Sequence, residues 1–310
     1  MQFKAQEFPS VESAQLPALP LHLAIGMFDG VHLGHRAVIE AAVQSARRSG
    51  GVAAVLTFHP HPSALFNPAN PTRMILPAAT KARLMFGLGV DAVIAQPFTP
   101  EFARIPSEGF LAWLKQRLPH LTAVYVGQNF RFGAGRRGDV ALLVAGAPAL
   151  NLSVFSAPPV NFDGQPISST RVRGLLEAGD VAAASALLGY TYFAEGRVIP
   201  GRRLGRTLGF PTLNLAWAPE LRPRLGVYAV RVSAEASGAR QGVANYGVRP
   251  TVGLSSDPLL ESHVLGPCPF GEGDAITVEW RNFLRPEMKF SSLEDLRAQI
   301  ARDVEAAGRV

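Results

Sequence analysis

Two histidines, His32 and His35, stand on either side of Leu33-Gly34, just after the turn Gly26-Met-Phe28-Asp29-Gly30. A short apolar run, Leu21–Ile25, precedes that turn. The order suits the end of a buried parallel strand, a tight turn that brings backbone close to a phosphate, and the start of a helix. Two imidazoles at the mouth of a helix can hold nucleotide phosphates without a covalent step. The segment therefore predicts chemistry on ATP.

Two more segments share this physics. Gly127-Gln-Asn129-Phe130-Arg131-Phe132-Gly133 follows an apolar run at 123–126, and Ile167-Ser168-Ser169-Thr170-Arg171-Val-Arg173 opens a helix. A helix N-terminus presents N–H groups and a positive dipole end to an anion. Ser168, Ser169 and Thr170 add hydroxyl donors, and Arg171 or Arg173 adds a charge that disperses the one developing on phosphate. Phosphoryl and nucleotidyl transfer rest on positioning and electrostatics, so no nucleophilic side chain is required.

A second dense motif runs Gly201-Arg-Arg-Leu-Gly205-Arg206-Thr207-Leu-Gly-Phe-Pro-Thr212-Leu-Asn214. Its spacing is one short of a P-loop, and Arg206 stands where lysine belongs, so it is not a Walker motif. Its glycines form a loop able to close over phosphates. Thr212 and Asn214 fall on one side of an extended strand. A hydroxyl and an amide so placed suit Mg²⁺ bound jointly with substrate phosphates.

Two kinds of element must position these groups. Up to residue 188 strand-like runs alternate with helical ones: strands at Leu21–Ile25, Val52–Phe58, 91–96, 123–126 and 150–155, and helices at 36–48, 81–89, 107–118, 170–178 and Val181–Leu188. That alternation implies a Rossmann-like parallel sheet with helices on both faces and ligands at the carboxyl ends of the strands. Past Gly189 the runs at Phe193–Ile199, 226–233, 241–246, 260–265 and 275–280, separated by Gly/Pro-rich turns, suit an antiparallel β-barrel. A terminal helix follows at 291–307, with Ser292 as N-cap and Asp295 closing a capping box. The fold class is thus α/β plus β, divided as 1–186 and 187–310.

Composition agrees. In 310 residues, 47% hydrophobic and 17% charged, there is material for two ordinary cores and nothing that resembles disorder. The net charge of +6 is carried mostly by arginine. Such a surplus suits nucleic acid and small phosphorylated ligands equally, or reflects an Arg-biased proteome. The lone Cys268 excludes an intrachain disulfide. With no secretion signal at 1–20 and no membrane-length apolar run, the expectation is a soluble cytoplasmic protein.

The motifs carry a family resemblance. Gly26-x-Phe28-Asp29-Gly30-Val31-His32-x-Gly34-His35, Thr57-Phe58-x-Pro60-His61-Pro62, Val126-Gly127-x-Asn129-Phe130-Arg131-Phe132-Gly133 and Ile167-Ser-Ser-Thr170 resemble the adenylyltransferase module of bacterial bifunctional riboflavin kinase/FAD synthetases. Gly205-Arg206-Thr207-Leu-Gly-Phe-Pro-Thr212-x-Asn214, Gly226-Val-Tyr228, Ala244-Asn-x-Gly-x-Arg-Pro-Thr251, Glu261-x-His263 and Leu284-Arg-x-Glu-x-Lys-Phe290 resemble its riboflavin kinase module. The resemblance implies phosphorylation of riboflavin to FMN, then adenylylation of FMN to FAD, with ATP and Mg²⁺ and without nucleic acid or membrane as partner. It implies that His32 and His35 stabilise the α-phosphate and that Asn129, Ser168 and Arg171 orient and neutralise phosphates. Phe132 would stack on the flavin. Thr212 and Asn214 would hold Mg²⁺ with ATP, and Glu261 would serve as general base.

Two departures stand out. Gln165-Pro166 precede Ile167 where the family often has an arginine, and Arg136 or Arg137 are candidate substitutes. After Glu261 the family's acidic turn and tyrosine give way to Gly266-Pro-Cys-Pro-Phe-Gly-Glu-Gly-Asp274, a loop expected to form part of the site wall. Three alternatives follow. In the first the chain is a FAD synthetase whose barrel only binds flavin. A class I aminoacyl-tRNA synthetase is disfavoured, because 167–173 contains no lysine. A nucleic-acid-binding protein would show clustered basic residues with interleaved aromatics, and here only 131–137 and 202–206 approach that.

Overall fold

The computed structural model describes residues 4–201, 204–235, 237–248 and 258–310. Arg202, Arg203 and the stretch from Arg249 to Thr251, all within motifs singled out above, lie outside the described residues. The chain divides into two compact units, 1–169 and 170–310.

The first unit is a six-stranded sheet in which every pairing is parallel. Its strands are β1 (Gln6–Phe8), β2 (Leu21–Ile25), β3 (Val52–Phe58), β4 (Ala92–Gln96), β5 (Leu121–Gly127) and β6 (Ser153–Ala157), in the order β1-β4-β3-β2-β5-β6. All residues of β2 and β3 are buried, which is why both read as continuous apolar runs rather than alternating ones. From β2 the chain winds outward to β3 and β4 on one side and to β5 and β6 on the other. The switch point lies between β2 and β5, so a ligand crevice is expected at their carboxyl ends.

The helices of this unit are α1 (Leu33–Ser49), α2 (Ser63–Phe66), α3 (Ala78–Gly87), α4 (Pro100–Ala103), α5 (Phe110–Arg117) and α6 (Val140–Gly146). Helix α1 starts three residues earlier than its apolar periodicity suggests, because His32 caps it with an imidazole instead of a hydroxyl or carboxylate. Strand β1 carries no readable signal: it has three residues, two of them exposed, at the sheet edge. A hairpin of β7 (Asn161–Phe162) and β8 (Gln165–Pro166) turns at Asp163-Gly164, both with positive φ.

The second unit holds α7 (Ser169–Ala178), whose first residue belongs to the preceding unit, and α8 (Val181–Leu188). A closed antiparallel barrel follows, in the order β10-β13-β12-β11-β14-β9. Its strands are β9 (Phe193–Ile199), β10 (Leu213–Leu215), β11 (Gly226–Ala234), β12 (Gly238–Gly247), β13 (Leu259–Val264) and β14 (Ala275–Arg285), with a turn of helix, α9 (Leu204–Thr207), before β10. The inward side chains form an aromatic core: Trp280 meets Tyr228 edge-on at 4.6 Å and Tyr246 at 5.5 Å. The terminal helix α10 (Leu293–Gly308) has Ser292 as its N-cap, accepting from Asp295 N at 3.1 Å. The Asp295 carboxylate accepts the Ser291 and Ser292 hydroxyls, which holds it below the usual carboxylate range.

Helix α10 packs Ala307 and Val304 against Val227, Ala229 and Val243 on the barrel's outer face. Arg285 of β14 fixes the helix: its Nε and Nη2 reach Asp303 at 2.9 and 2.7 Å, and Gln299 donates to the same carboxylate at 2.9 Å. Removing one partner of a shielded pair strands the other. Asp303→Ala is expected to cost about 3 kcal/mol in urea unfolding, and Arg285→Met with Asp303→Leu to recover most of it. An equal loss in the double variant would contradict this role.

Candidate active sites

The turn after β2 is held under strain. Phe28 has φ 48°, Gly30 φ 80° and Val31 φ 41°. A positive φ costs a β-branched residue most, at about 1–3 kcal/mol for each strained residue. Val31 and Phe28 are nonetheless 1% and 2% exposed, so their burial offsets part of that cost. Phe28 leaves little room at Gly26: a Cβ there would stand 3.0 Å from the phenyl ring. The ring in turn meets His35 edge-on at 5.3 Å.

His32 and His35 come together as expected, their rings stacked 3.5 Å apart. His32 Nδ1 accepts the His35 N–H at 3.2 Å, so the neutral His32 ring carries its proton on Nε2. The imidazole is therefore oriented by the helix it caps, and the first turn of α1 presents N–H groups beside it. Asp29 is buried within the turn. Its buried carboxylate accepts Ile75 N at 3.0 Å, and a second anion placed against a phosphate would repel it, so its contribution lies in shaping the turn.

The sequence motifs left Lys81 unnoticed. Its Nζ donates to Met27 O at 3.1 Å and to Thr57 Oγ1 at 2.9 Å, and Thr57 Oγ1 donates to the same carbonyl at 2.9 Å. No periodicity flags a lone lysine on a short helix. Burial pushes its ammonium down to about 8, while Asp29 and Glu7 oppose the shift.

The third segment reaches the same turn, because Ser169 Oγ donates to Asp29 O at 2.9 Å. Ser168 and Thr170 are exposed, and Arg171 is half-buried on the first turn of α7. The second segment follows β5 at the neighbouring carboxyl end. Asn129 and Arg131 line a cavity of about 260 Å³, where Arg131 meets Asp139 at 3.5 Å. Arg136 and Arg137 are both exposed.

Phe132 requires correction. It is 6% exposed, packed 5.0 Å from Phe110 and 5.7 Å from Phe130, with Gly138 kept side-chain-free by its ring. It packs as a core residue, and burial leaves little of its ring exposed. An aromatic surface stands instead near the carboxyl ends of β3 and β4. Phe66, 69% exposed, lies edge-on to Phe98, which packs on Phe58.

The barrel motifs converge on one cavity of about 470 Å³ on its outer face. Register explains the meeting: Asn214 of β10 pairs with Glu261 of β13, which pairs with Asn245 of β12. Side chains directly opposite share a face. Thr212, Gly205 and His263 also line the cavity, and Leu296 and Ile300 of α10 give it an apolar wall. Asn214 is buried, and Gly201 is required beside it, because a Cβ there would fall 1.8 Å from Asn214 Nδ2. His263 Nδ1 donates to Pro211 O at 2.8 Å, tying β13 to the strand that presents Thr212. Asn245 and Glu287 are lining residues that went unassigned in the sequence.

Two expectations change here. Arg206 and Thr207 are exposed on α9 and do not line the cavity. Nor does the loop 266–274 form its wall: Phe270 is buried, Gly271 N donates to Asp274, and Gly273 N donates to Val198 O. Among the described residues no cluster of three or more His, Cys, Asp or Glu could cage a metal. A hydroxyl, an amide and a carboxylate around one cavity do fit a hard cation whose remaining ligands come from a nucleotide.

Comparison with known proteins follows the same division. A family model described as FAD synthetase matches residues 18–171, and one described as riboflavin kinase matches 188–310. A bifunctional riboflavin kinase/FMN adenylyltransferase of Escherichia coli (strain K12) is 38% identical over 295 residues, covering 94% of this chain and 92% of that protein. One from Haemophilus influenzae is 37% identical over 286 residues, covering 92% of each. A solved structure from Streptococcus pneumoniae, titled a macrolide-efflux protein, is 26% identical and superposes with a TM-score of 0.88 over 99% of both chains. Among the described residues here no helix is long and apolar enough to cross a membrane.

The Lys81 shift has a measurable consequence. The folded chain releases this proton near pH 8 and the unfolded chain near 10.5. Over that window the unfolded state binds more protons, so Lys81 contributes a gain in stability as pH rises. Urea unfolding at roughly pH 7.5 and 9.5 is expected to show this gain in the native chain and to lose it in Lys81→Met. An identical pH slope in both would refute the assignment.

Proposed function

The chain belongs to the bifunctional riboflavin kinase/FMN adenylyltransferase family, and from that premise we propose how its two units divide the chemistry. It carries out both steps: ATP phosphorylates riboflavin to FMN, and a second ATP adenylylates FMN to FAD with release of pyrophosphate. The observation that carries this is the ordered match of both family descriptions to the two halves of one chain. We place the functional division at 1–186 and 187–310 and the enzyme in the cytoplasm. The first placement is supported by matches that end at 171 and begin at 188. The second is supported by ATP and flavin substrates and by a single cysteine.

In the barrel cavity Glu261 takes the proton of the ribityl hydroxyl as its oxygen attacks the γ-phosphorus of ATP. The bond from that phosphorus to the bridging oxygen breaks, and ADP leaves. Thr212 and Asn214 would hold Mg²⁺ with the phosphates, where it supplies charge neutralisation. Gly205 lets the loop fold back tightly on the strand that follows: a Cβ there would lie 2.3 Å from Phe210 O. Leu296, Ile300 and Phe290 offer the apolar wall a flavin ring needs.

In the first unit a phosphate oxygen of FMN attacks the α-phosphorus of ATP, and the bond to the pyrophosphate oxygen breaks. His32 Nε2–H, His35 and the N-terminus of α1 receive the charge that develops. Gly30 permits the turn, Asn129 and Arg131 orient phosphates from the neighbouring strand end, and Ser168 adds a donor from the third segment. Phe66 takes the stacking role expected of Phe132.

Purified protein supplied with riboflavin and Mg-ATP is expected to yield FMN and FAD by chromatography. His32→Ala should slow FAD formation about 100-fold or more and leave FMN formation intact. Glu261→Gln should slow FMN formation by a similar factor while FAD still forms from added FMN. Gly201→Ala, by displacing Asn214, should follow Glu261→Gln. Loss of FMN formation in soluble His32→Ala, or of FAD formation from added FMN in soluble Glu261→Gln or Gly201→Ala, would oppose the division of labour.

A further inference from the structure

Lys81 is buried, 3% exposed, and no step of the transfer uses its ammonium. Its two acceptors explain why it is there. Met27 O lies at the head of a turn whose backbone occupies disfavoured regions at Phe28 and Val31. Such a conformation persists only where its surroundings over-determine it. Three separate holds do so here: Lys81 and Thr57 on Met27 O, Ile75 N on the Asp29 carboxylate, and Ser169 Oγ on Asp29 O.

We propose that Lys81 is a positioning residue for adenylyl transfer, fixing the 27–31 turn through Met27 O and Thr57 so that Phe28, His32 and His35 keep their aim. The inference rests on the reading of that turn as the adenylylation site. An ammonium suits the position because it is a compact point charge with three donors. It reaches a carbonyl and a hydroxyl at once and also provides the charge opposite Asp29. The turn connects directly to the reacting groups. Phe28 touches His35 edge-on, Val31 N donates to Phe28 O at 3.1 Å, and His32 begins the helix immediately after. Transfer rates are sensitive to misplacement of about 1 Å. Release of this hold therefore slows the chemical step more than it weakens nucleotide binding.

The test uses full-length protein with Lys81→Met, Thr57→Val, their combination, and Met85→Ala as a buried control on the same helix. FAD formation from FMN, FMN formation from riboflavin and thermal melting are measured on each preparation. Lys81→Met is expected to lower kcat for FAD formation about 30-fold, with the KM for ATP within about twofold and FMN formation unchanged. Thr57→Val should show the same split at smaller amplitude, and the double variant should be no slower than Lys81→Met, because both act on one carbonyl. An unchanged kcat in Lys81→Met overturns the proposal, as does an equal kcat loss in Met85→Ala at the same melting temperature. Should Lys81→Met fail to fold, Thr57→Val decides alone by the same split. His32→Ala separates the underlying reading: if that variant still makes FAD normally, the site assignment fails, whatever Lys81 does.

Discussion

The adenylylating half of the molecule depends on a turn that its own residues would not choose. A valine at φ 41° and a phenylalanine at φ 48° pay in backbone energy for placing two histidines at a helix mouth. The surrounding structure holds them there with buried donors and with the burial of the strained side chains themselves. Several sequence motifs acquire one meaning in this light. The Thr57 segment, the Ser169 segment and Asp29 are braces on the same few peptide groups, even though they stand far apart in the chain. The topological switch between β2 and β5 then sets the braced turn beside the strand end that leads to Asn129.

The kinase half solves its problem by register. Asn214, Glu261 and Asn245 sit directly opposite one another on three adjacent strands, so their side chains share the outer face. The alternate residues, Leu215, Leu260, Tyr246 and Ser262, are buried on the other face. A slip of one residue would send the amide and carboxylate into the aromatic core. The terminal helix completes the cavity with Leu296 and Ile300, and the Arg285–Asp303 pair holds it in place.

Much of this was legible in the residues. Fully buried parallel strands show as apolar runs, and Gly/Pro spacing announced the barrel. The motif glycines mark places where backbone or a side chain approaches closely, as at Gly26 and Gly201. What escaped had physical reasons. A three-residue edge strand has no period to read, and an imidazole cap lies outside the usual capping set. Phe132 could not be separated from a stacking residue by type alone. Its burial is decided by Phe110 and by Gly138, which only the tertiary fold brings together. Lys81 acts through long-range contacts that no local spacing encodes, and Asn245 reaches the cavity through its register with Glu261 on the neighbouring strand. The loop 266–274 differs from the family pattern, yet it closes on itself and on β9.

One chain contains two chemistries that draw on different phosphorus atoms of ATP. The most direct measurement is the fate of isotope from ATP labelled separately at the α and γ positions. FAD made from riboflavin should carry both labels in equal amounts, the γ label next to the flavin and the α label next to the adenosine. FAD made from added FMN should carry the α label alone. FAD without the γ label in the first case, or without the α label in either, would contradict the account.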